Sequence, residues 1–465
     1  MADLLSILTS AQTSLSAQRA LAATAGNNVE NANNPDYARQ VATLETVVPD
    51  DQVNGAHVGR GVTLASVTQV RDRYLESQLP RAIGDAASST AESSALQAFS
   101  GLDPSASGGL DQAISGFYAS LTALAQNPGD TGLRAAALGA THQMAQAFNR
   151  TAQQLAAART GLDTQAGALA TEIGDEAAAV AQLNGQIAQA GAAGGPPNDL
   201  LDLRQKHLDR LAELAGASPV ATSNGQVNVV LPGGVTLVAG ASAATLSTRP
   251  APTDGHLQVL VSPAGASGGA AAAATFGGTL GGTLAARDGA FAAAEGQVDQ
   301  LAHDLAAKLD ATHAAGYGLD GSTGRPLLDV GTGVAGAAGR MTVAISDPSQ
   351  LATAASANAP GDATNANALA ATESSSVAGA ADVSSALASI VSRFGAAAAT
   401  AKAFADQDTA VKDHLTQLRA SSSGVSIDDE LITIQAAQRG YEAIAKVIQT
   451  ADQMMQTVLA MVPSA

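Results

Sequence analysis

Three stretches of this sequence and its seven histidines carry residue types that chemistry could use. Gly331, Gly333 and Gly336 match a dinucleotide-binding loop and follow the apolar run Pro326 to Val330. That chemistry needs a helix to open behind the loop so that its N-terminus meets the phosphates. Here the strand-like Met341 to Ile345 follows, and a plain Gly-rich loop is the better reading. Gly265, Ser267 and Gly269 have the spacing of a hydrolase nucleophile elbow, but they lie in a Gly/Ala tract with no strand ahead to hold a strained turn. Seven histidines (His57, His142, His207, His256, His303, His313 and His414) are scattered, without a metal-ligating neighbour at helical spacing, so solvated or capping roles are expected. His303 and His313 fall on different faces of a helix. The consecutive acids Asp428, Asp429 and Glu430 splay around a helix rather than converging on a metal, and suit a helix N-terminus. No Gly-Lys-Ser/Thr phosphate loop occurs, so no catalytic, cofactor-binding or metal-ligating set is assigned.

What would position any site is a pair of helical ends. At the C-terminus Ile434, Ala437, Tyr441, Ile444, Ile448, Ala451, Met455, Val458 and Val462 recur at alternating three- and four-residue steps. At the N-terminus Leu4, Leu8, Ala11, Leu15, Ala22, Ala25 and Val29 do the same, interrupted at Gln18. Periodicity alone fits both two core helices of one globule and two seams that await partner helices.

Composition narrows the classes. A chain of 465 residues is long enough for several domains. A net charge of -18 without a basic cluster argues against a nucleic-acid partner. No cysteine is present, which removes disulfides and thiolate chemistry and suits either the cytosol or an exported chain. The first ten residues lack a basic stretch and a long apolar run, so no cleaved signal peptide is expected, and no window is apolar enough for a membrane span. Seven Phe, five Tyr and no Trp leave Ala and Gly to fill the interior, which favours long helices packed closely.

Along the chain, the first helix should stop in the Asn/Gly/Pro cluster before residue 35, followed by two extended stretches, Tyr37 to Val48 and Val58 to Val70, parted by Pro49 and Gly55. Helical period then dominates to Ala215, broken at Gly101 to Gly109, at Gly191 to Pro197, and at Asn127-Pro128-Gly129-Asp130, where Pro fixes φ and Gly supplies positive φ. Leu133 to Gln189 predicts one helix of roughly 80 Å at about 1.5 Å per residue. Residues 217–263 are Val-rich, with hairpin signals at Asn224-Gly225 and Pro232-Gly233-Gly234. Gly265 to Ala274 reads as a linker, and helix resumes from Thr279 to Ala315.

The expected fold is mainly α with an inserted β domain: terminal coiled-coil helices (1–35 and 425–465), an elongated helical-bundle body (36–215, 276–315 and 382–424), and an outer β-rich and irregular region (216–275 and 316–381).

The segment Gly26 to Gln40, with Asn27, Asn28, Asn31, Asn33, Pro35, Tyr37, Arg39 and Gln40, resembles the N-terminal signature of bacterial flagellar axial proteins, the family of rod, hook and hook-associated subunits. Asp36 stands where that family has Gly, and Ala38 where it has Ser. Ser423 to Glu430, then Gln435, Gln438, Tyr441 and Ala445 to Met454, resemble its closing helix. Leu110 to Asp130, Pro197 to Arg204, Gly277 to Asp288 and His313 to Tyr317 are similar to the hook-associated branch that joins hook to filament; 318–380 has no clear counterpart and looks shortened.

The resemblance implies a structural subunit without catalysis. Its partners would be further copies in a homo-oligomer ring, the hook protein, hook-associated protein 3, and a cytoplasmic export chaperone on the C-terminal helix, with neither nucleic acid nor membrane. The location implied is extracellular, at the flagellum, reached by type III export. Alternatives are hook-associated protein 3 itself or a distal rod subunit, an enzyme using Ser267 or the Gly331 loop, and an exported adhesin or effector.

Overall fold

The computed structural model describes residues 2–48, 52–53, 56–57, 59–102, 108–192, 197–222, 224–265 and 271–461. Pro49, Gly55, Ser267 and Val462 therefore lie outside the described residues, as do the side chains of Leu4 and His57. The chain opens with α1 (Ala2–Glu30) and a hairpin, β1 (Gln40–Thr46) antiparallel to β4 (Val62–Gln69), with the two-residue pair β2 (Gln52–Val53) and β3 (Ala56–His57) between them. The helical body starts with α2 (Arg73–Gln97), α3 (Leu110–Gln126), α4 (Thr131–Ala192) and α5 (Asn198–Ala215).

Helix α4 has 62 residues, a span of about 93 Å at 1.5 Å per residue. Its buried positions Ala137, Thr141, Met144, Phe148, Thr151 and Leu155 step by three and four residues, and the pattern persists to Ile187. One continuous stripe thereby serves two cores. Asp130 caps its start, accepting from the N–H groups of Gly132 (2.7 Å) and Leu133 (2.9 Å). The expected positive φ at Gly129 is not found among the left-handed glycines; its missing side chain instead admits the Pro360 carbonyl, 3.3 Å from where a Cβ would stand.

The β unit follows. Strands β5 (Ser218–Ala221), β6 (Val227–Val230), β7 (Thr236–Ala239) and β8 (Ser242–Ala243) form a four-stranded sheet in sequence order. Strands β9 (Thr245–Pro250), β10 (Leu257–Ser262) and β11 (Ala272–Ala273) form a three-stranded one. The end of the Gly/Ala tract expected to be linker thus pairs with β10. Both sheets pack on the second half of α4 and on α5, burying Val229, Leu237, Val238 and Val261 with Ile173, Val180 and Leu211. Asn184, wholly buried on α4, fixes the join: its amide donates to the carbonyls of Val227 and Gly240 (both 2.7 Å), and its oxygen accepts from Arg204 (3.0 Å).

Helix α6 (Gly278–Ala286) runs through a π-helical turn, Arg287–Phe291, into α7 (Ala292–Ala315). Arg287 at this turn pairs with Asp163 (2.5 Å), which also holds His256 (2.7 Å), so the β unit, α4 and the turn share one ionic joint. Residues 316–381 hold β12 (Leu328–Asp329), the one-turn α8 (Ala337–Arg340), β13 (Thr342–Val343) paired to β12, and α9 (Thr364–Ala371). The sequence-based grouping of this stretch with the β unit differs from its packing. Leu327, Leu328, Met341, Leu351, Leu369 and Val377 are buried in the core built by α3, the first half of α4, α7 and α10 (Val383–Ser423), because their apolar side chains recur without the alternation that marks a sheet. The chain ends with α11 (Ile427–Ala460).

Few aromatics are available, and three are concentrated: Phe99, Phe291 and Phe394 meet with ring centroids 5.2 to 5.4 Å apart, tying the end of α2 to the π-helical turn and α10. Elsewhere glycines allow close approach. At Gly282 a Cβ would overlap the Ser88 carbonyl, so α6 lies directly on α2. We expect Gly282→Val to cost about 1–3 kcal/mol through overpacking. Chemical denaturation reads this as a lower midpoint, and an unchanged midpoint would contradict the packing described.

Candidate assembly surface and its polar hub

The segment between α1 and β1 turns sharply, and its backbone groups need partners where no ladder can supply them. Asn28, only 1% exposed, provides them. Its amide donates to the Gln40 carbonyl (2.8 Å), and its oxygen accepts from the Gln40 N–H (2.9 Å), so one side chain behaves as a neighbouring strand would. The Tyr37 hydroxyl stands 2.7 Å from the Asn28 oxygen and 2.9 Å from that of Asn27, ready to donate to either. Burial, with the carboxylates of Asp202, Asp199 and Glu430 nearby, pushes the Tyr37 phenol far above its usual range and keeps that proton in place. Asn31 donates to the Asn27 carbonyl (3.0 Å), while Asn33 and Pro35 are exposed on the turn.

Helix α5 supports the turn from beneath. Asn198 donates to the side-chain oxygen of Gln40 (3.2 Å) and to the Val67 carbonyl (3.0 Å), joining α5 to both hairpin strands. Asp202 accepts from the Ala38 N–H (3.3 Å) and from Arg71 (2.6 Å) through one oxygen. Its other oxygen is buried without a partner, and burial holds the carboxyl above its usual range. Arg204, two residues on, donates to the Gly225 carbonyl (2.8 Å), and burial lowers its guanidinium to about 10.

The C-terminus enters at the same point. The Arg39 N–H donates to the Ser423 carbonyl (2.9 Å), and the Arg39 guanidinium pairs with Glu430 at 2.6 Å. Glu430 is therefore not only a first-turn acid matched to the helix dipole; it is buried and binds α11 to the α1–β1 turn. Beyond the hub, α11 runs antiparallel to α1, with Arg19 donating to the Tyr441 hydroxyl (3.1 Å) and Gln18 against Gly440. Among the described residues α1 is the element against which α11 packs extensively.

The seam residues of the sequence divide accordingly. Ala437 and Ala451 are buried, and Ile434, Ile444, Ile448 and Met455 half-buried; Leu8, Leu15, Ala22 and Val29 are half-buried on α1. Tyr441 and Val458 stay exposed. A second stripe along α11 and just past its end is not legible in the sequence: Val447, Met454 and Met461, seven residues apart, are 48%, 54% and 75% exposed, with Leu5 and Ile7 open on α1.

The Gly331 loop and several of the histidines have structural partners. In the Gly331 loop a one-turn helix does follow, but the N–H groups of Gly336 (2.6 Å) and Ala338 (3.0 Å), which would meet a phosphate, donate to Asp299. Arg340 fills the remaining space beside Gly331 and Gly336. Three histidines pair with acids: His207 with Glu176 (2.6 Å), His256 with Asp163 (2.7 Å) and His303 with Asp304 (3.2 Å). His313, expected to be solvated or capping, is buried. Among the described residues no group of three His, Cys, Asp or Glu is placed to hold a metal ion, and no helix is long and apolar enough to cross a membrane.

Asn28→Ala removes both bonds to Gln40 and leaves its backbone groups buried without partners. A loss of about 1–3 kcal/mol is expected, visible as a lower melting temperature; an unaltered transition would show that the hub does not depend on this amide.

Comparison with known proteins finds flagellar relatives. Residues 98–328 match the model for the flagellar hook-associated protein FlgK helical domain, and residues 417–461 match that for the flagellar basal body rod FlgEFG protein C-terminal region. Flagellar hook-associated protein 1 of Salmonella typhimurium is 26% identical over 338 residues, which cover 71% of this chain and 60% of that protein's length. Its counterpart in Escherichia coli K12 is 24% identical, with 98% of this chain and 99% of that protein covered. The structure of the flagellar hook junction protein FlgK from Burkholderia pseudomallei shares the fold, with a TM-score of 0.69 at 18% identity, covering 75% of this chain and all of that one. The helical-domain model, the C-terminal model and two curated relatives of one name agree, and the chain belongs to the flagellar hook-associated protein 1 (FlgK) family.

Proposed function

We propose that this protein is a structural subunit of the bacterial flagellum that forms the junction between hook and filament by self-assembly through its terminal helices. The observation that carries the reading is the α1–α11 pair: one apolar face of each helix is spent on the other, and a second stripe on α11 remains in water. Two helices joined along one seam bury too little to explain so many exposed large side chains on a soluble subunit, whereas further copies would cover them. In this reading the subunits form a homo-oligomer ring that meets hook protein on one side and hook-associated protein 3 on the other. An export chaperone would cover the C-terminal helix beforehand, and the working location is extracellular. The body, with its own two cores, holds the pair in register.

Two substitutions separate pairing from assembly. Met454→Asp places a charge on the outward stripe and is expected to leave the melting transition intact while abolishing incorporation at the hook-filament boundary. Ile448→Asp places it in the α1–α11 seam and should lose both incorporation and terminal helix content, with the 80–420 body still folded. Immuno-labelling, motility and circular dichroism read these outcomes. Motile cells with Met454→Asp at the normal position would refute the assembly role of the exposed stripe.

A further inference from the structure

The stretch from Tyr317 to Val377 is held on the helical body by a histidine with both ring nitrogens engaged. His313, at the end of α7, is 1% exposed. Its Nδ1 lies 2.8 Å from the Arg325 carbonyl and therefore carries the proton, while Nε2 accepts from the Ala352 N–H at 3.0 Å. The ring is thus a neutral bridge between two strands of chain 27 residues apart. Around it the Tyr317 N–H donates to the Ala354 carbonyl (2.8 Å), and Asn365 of α9 donates to the Ala352 carbonyl (2.8 Å).

We propose that His313 is an acid-released latch: protonation of its ring detaches the 348–354 segment and opens the 317–377 cap from the α4 and α7 helices. An imidazolium has a proton on each nitrogen, so Nε2–H would face the Ala352 N–H, donor against donor, at a site buried from solvent. The surrounding charges oppose the cation. Arg325 stands beside the ring, its guanidinium paired with Asp320 (3.0 Å). From α4, buried Arg134 donates to the Leu351 carbonyl (2.7 Å), one residue from the latch, and bonds to Thr353. The one nearby acid on α7, Asp310, is occupied by the N–H groups of Leu327 and Leu328 (both 2.8 Å), and Asp329 lies beside it.

Burial accordingly lowers the His313 pKa below its ordinary 6.5. The latch is fully present above that value and is lost as pH falls through the folded-state value, because the open form binds the extra proton. Asp310 acts in the opposite sense: burial raises its pKa, so its protonation favours the closed form.

Hydrogen exchange on the full chain, corrected for intrinsic rate, tests the latch. Below pH 6.5 the opening constant of the Ala352 and Ala354 amides should rise by up to about tenfold per pH unit, while amides of α3 and the middle of α4 hold steady. His313→Gln, which keeps a neutral donor and acceptor, should flatten that rise. If the Gln variant opens with the same pH dependence, the proposal fails. Should that variant not fold, the His313 ring in the wild-type chain is titrated by NMR: a value below 6.5 coincident with opening supports the latch, and one at or above 6.5 overturns it.

Discussion

The architecture depends on satisfying backbone groups at the point where the chain leaves α1. Asn28 acts as a substitute strand for Gln40, and with that turn fixed, Arg39 faces Glu430 and Ala38 faces Asp202. Three parts of the chain, residues 28–40, 198–202 and 423–430, are drawn together by short polar bonds rather than by apolar area. Such bonds are directional, so they set the angle at which the terminal pair leaves the body. A hydrophobic contact of similar strength would allow the pair to slide.

Small side chains impose the rest of the design. With Ala and Gly dominant, each residue buries little area, and stability must come from long helices approaching closely, as α6 does on α2 at Gly282. Larger groups are then placed where separate units meet: the three phenylalanines at the π-helical turn, Asn184 under the β unit, and Arg134 beneath the 348–353 segment. The body is held to a fixed shape by a few well-packed joints.

Much of the fold was legible because periodicity is a local property. The α4 stripe, the β unit at 217–263, and the facing stripes on α1 and α11 all follow from repeats of three to four or two residues. The motif residues Asn28, Tyr37, Arg39 and Gln40 were visible as a pattern, but their roles were not. Arg39 and Glu430 are 391 positions apart, and no local signal couples them. Glu430 looked like a capping acid because two more acids precede it. His313 looked like any helical histidine because the carbonyl and N–H it binds carry no side-chain identity. Residues 316–381 were grouped with the sheets because Gly-rich, short-period sequence resembles loops, whereas their Leu, Met and Val side chains fill the helical core.

The central claim is that α1 and α11 are already paired in the single chain, in antiparallel register, before any neighbour arrives. The absence of native cysteine makes a direct measurement clean. Replacing Gln18 and Gly440, which lie in contact, with cysteine and oxidising dilute monomer should give a disulfide within one chain in high yield, while a control pairing position 18 with position 454 should give almost none. Equal yields from both pairs, or bonds formed only between chains, would mean that the termini are unpaired until assembly and would contradict the account.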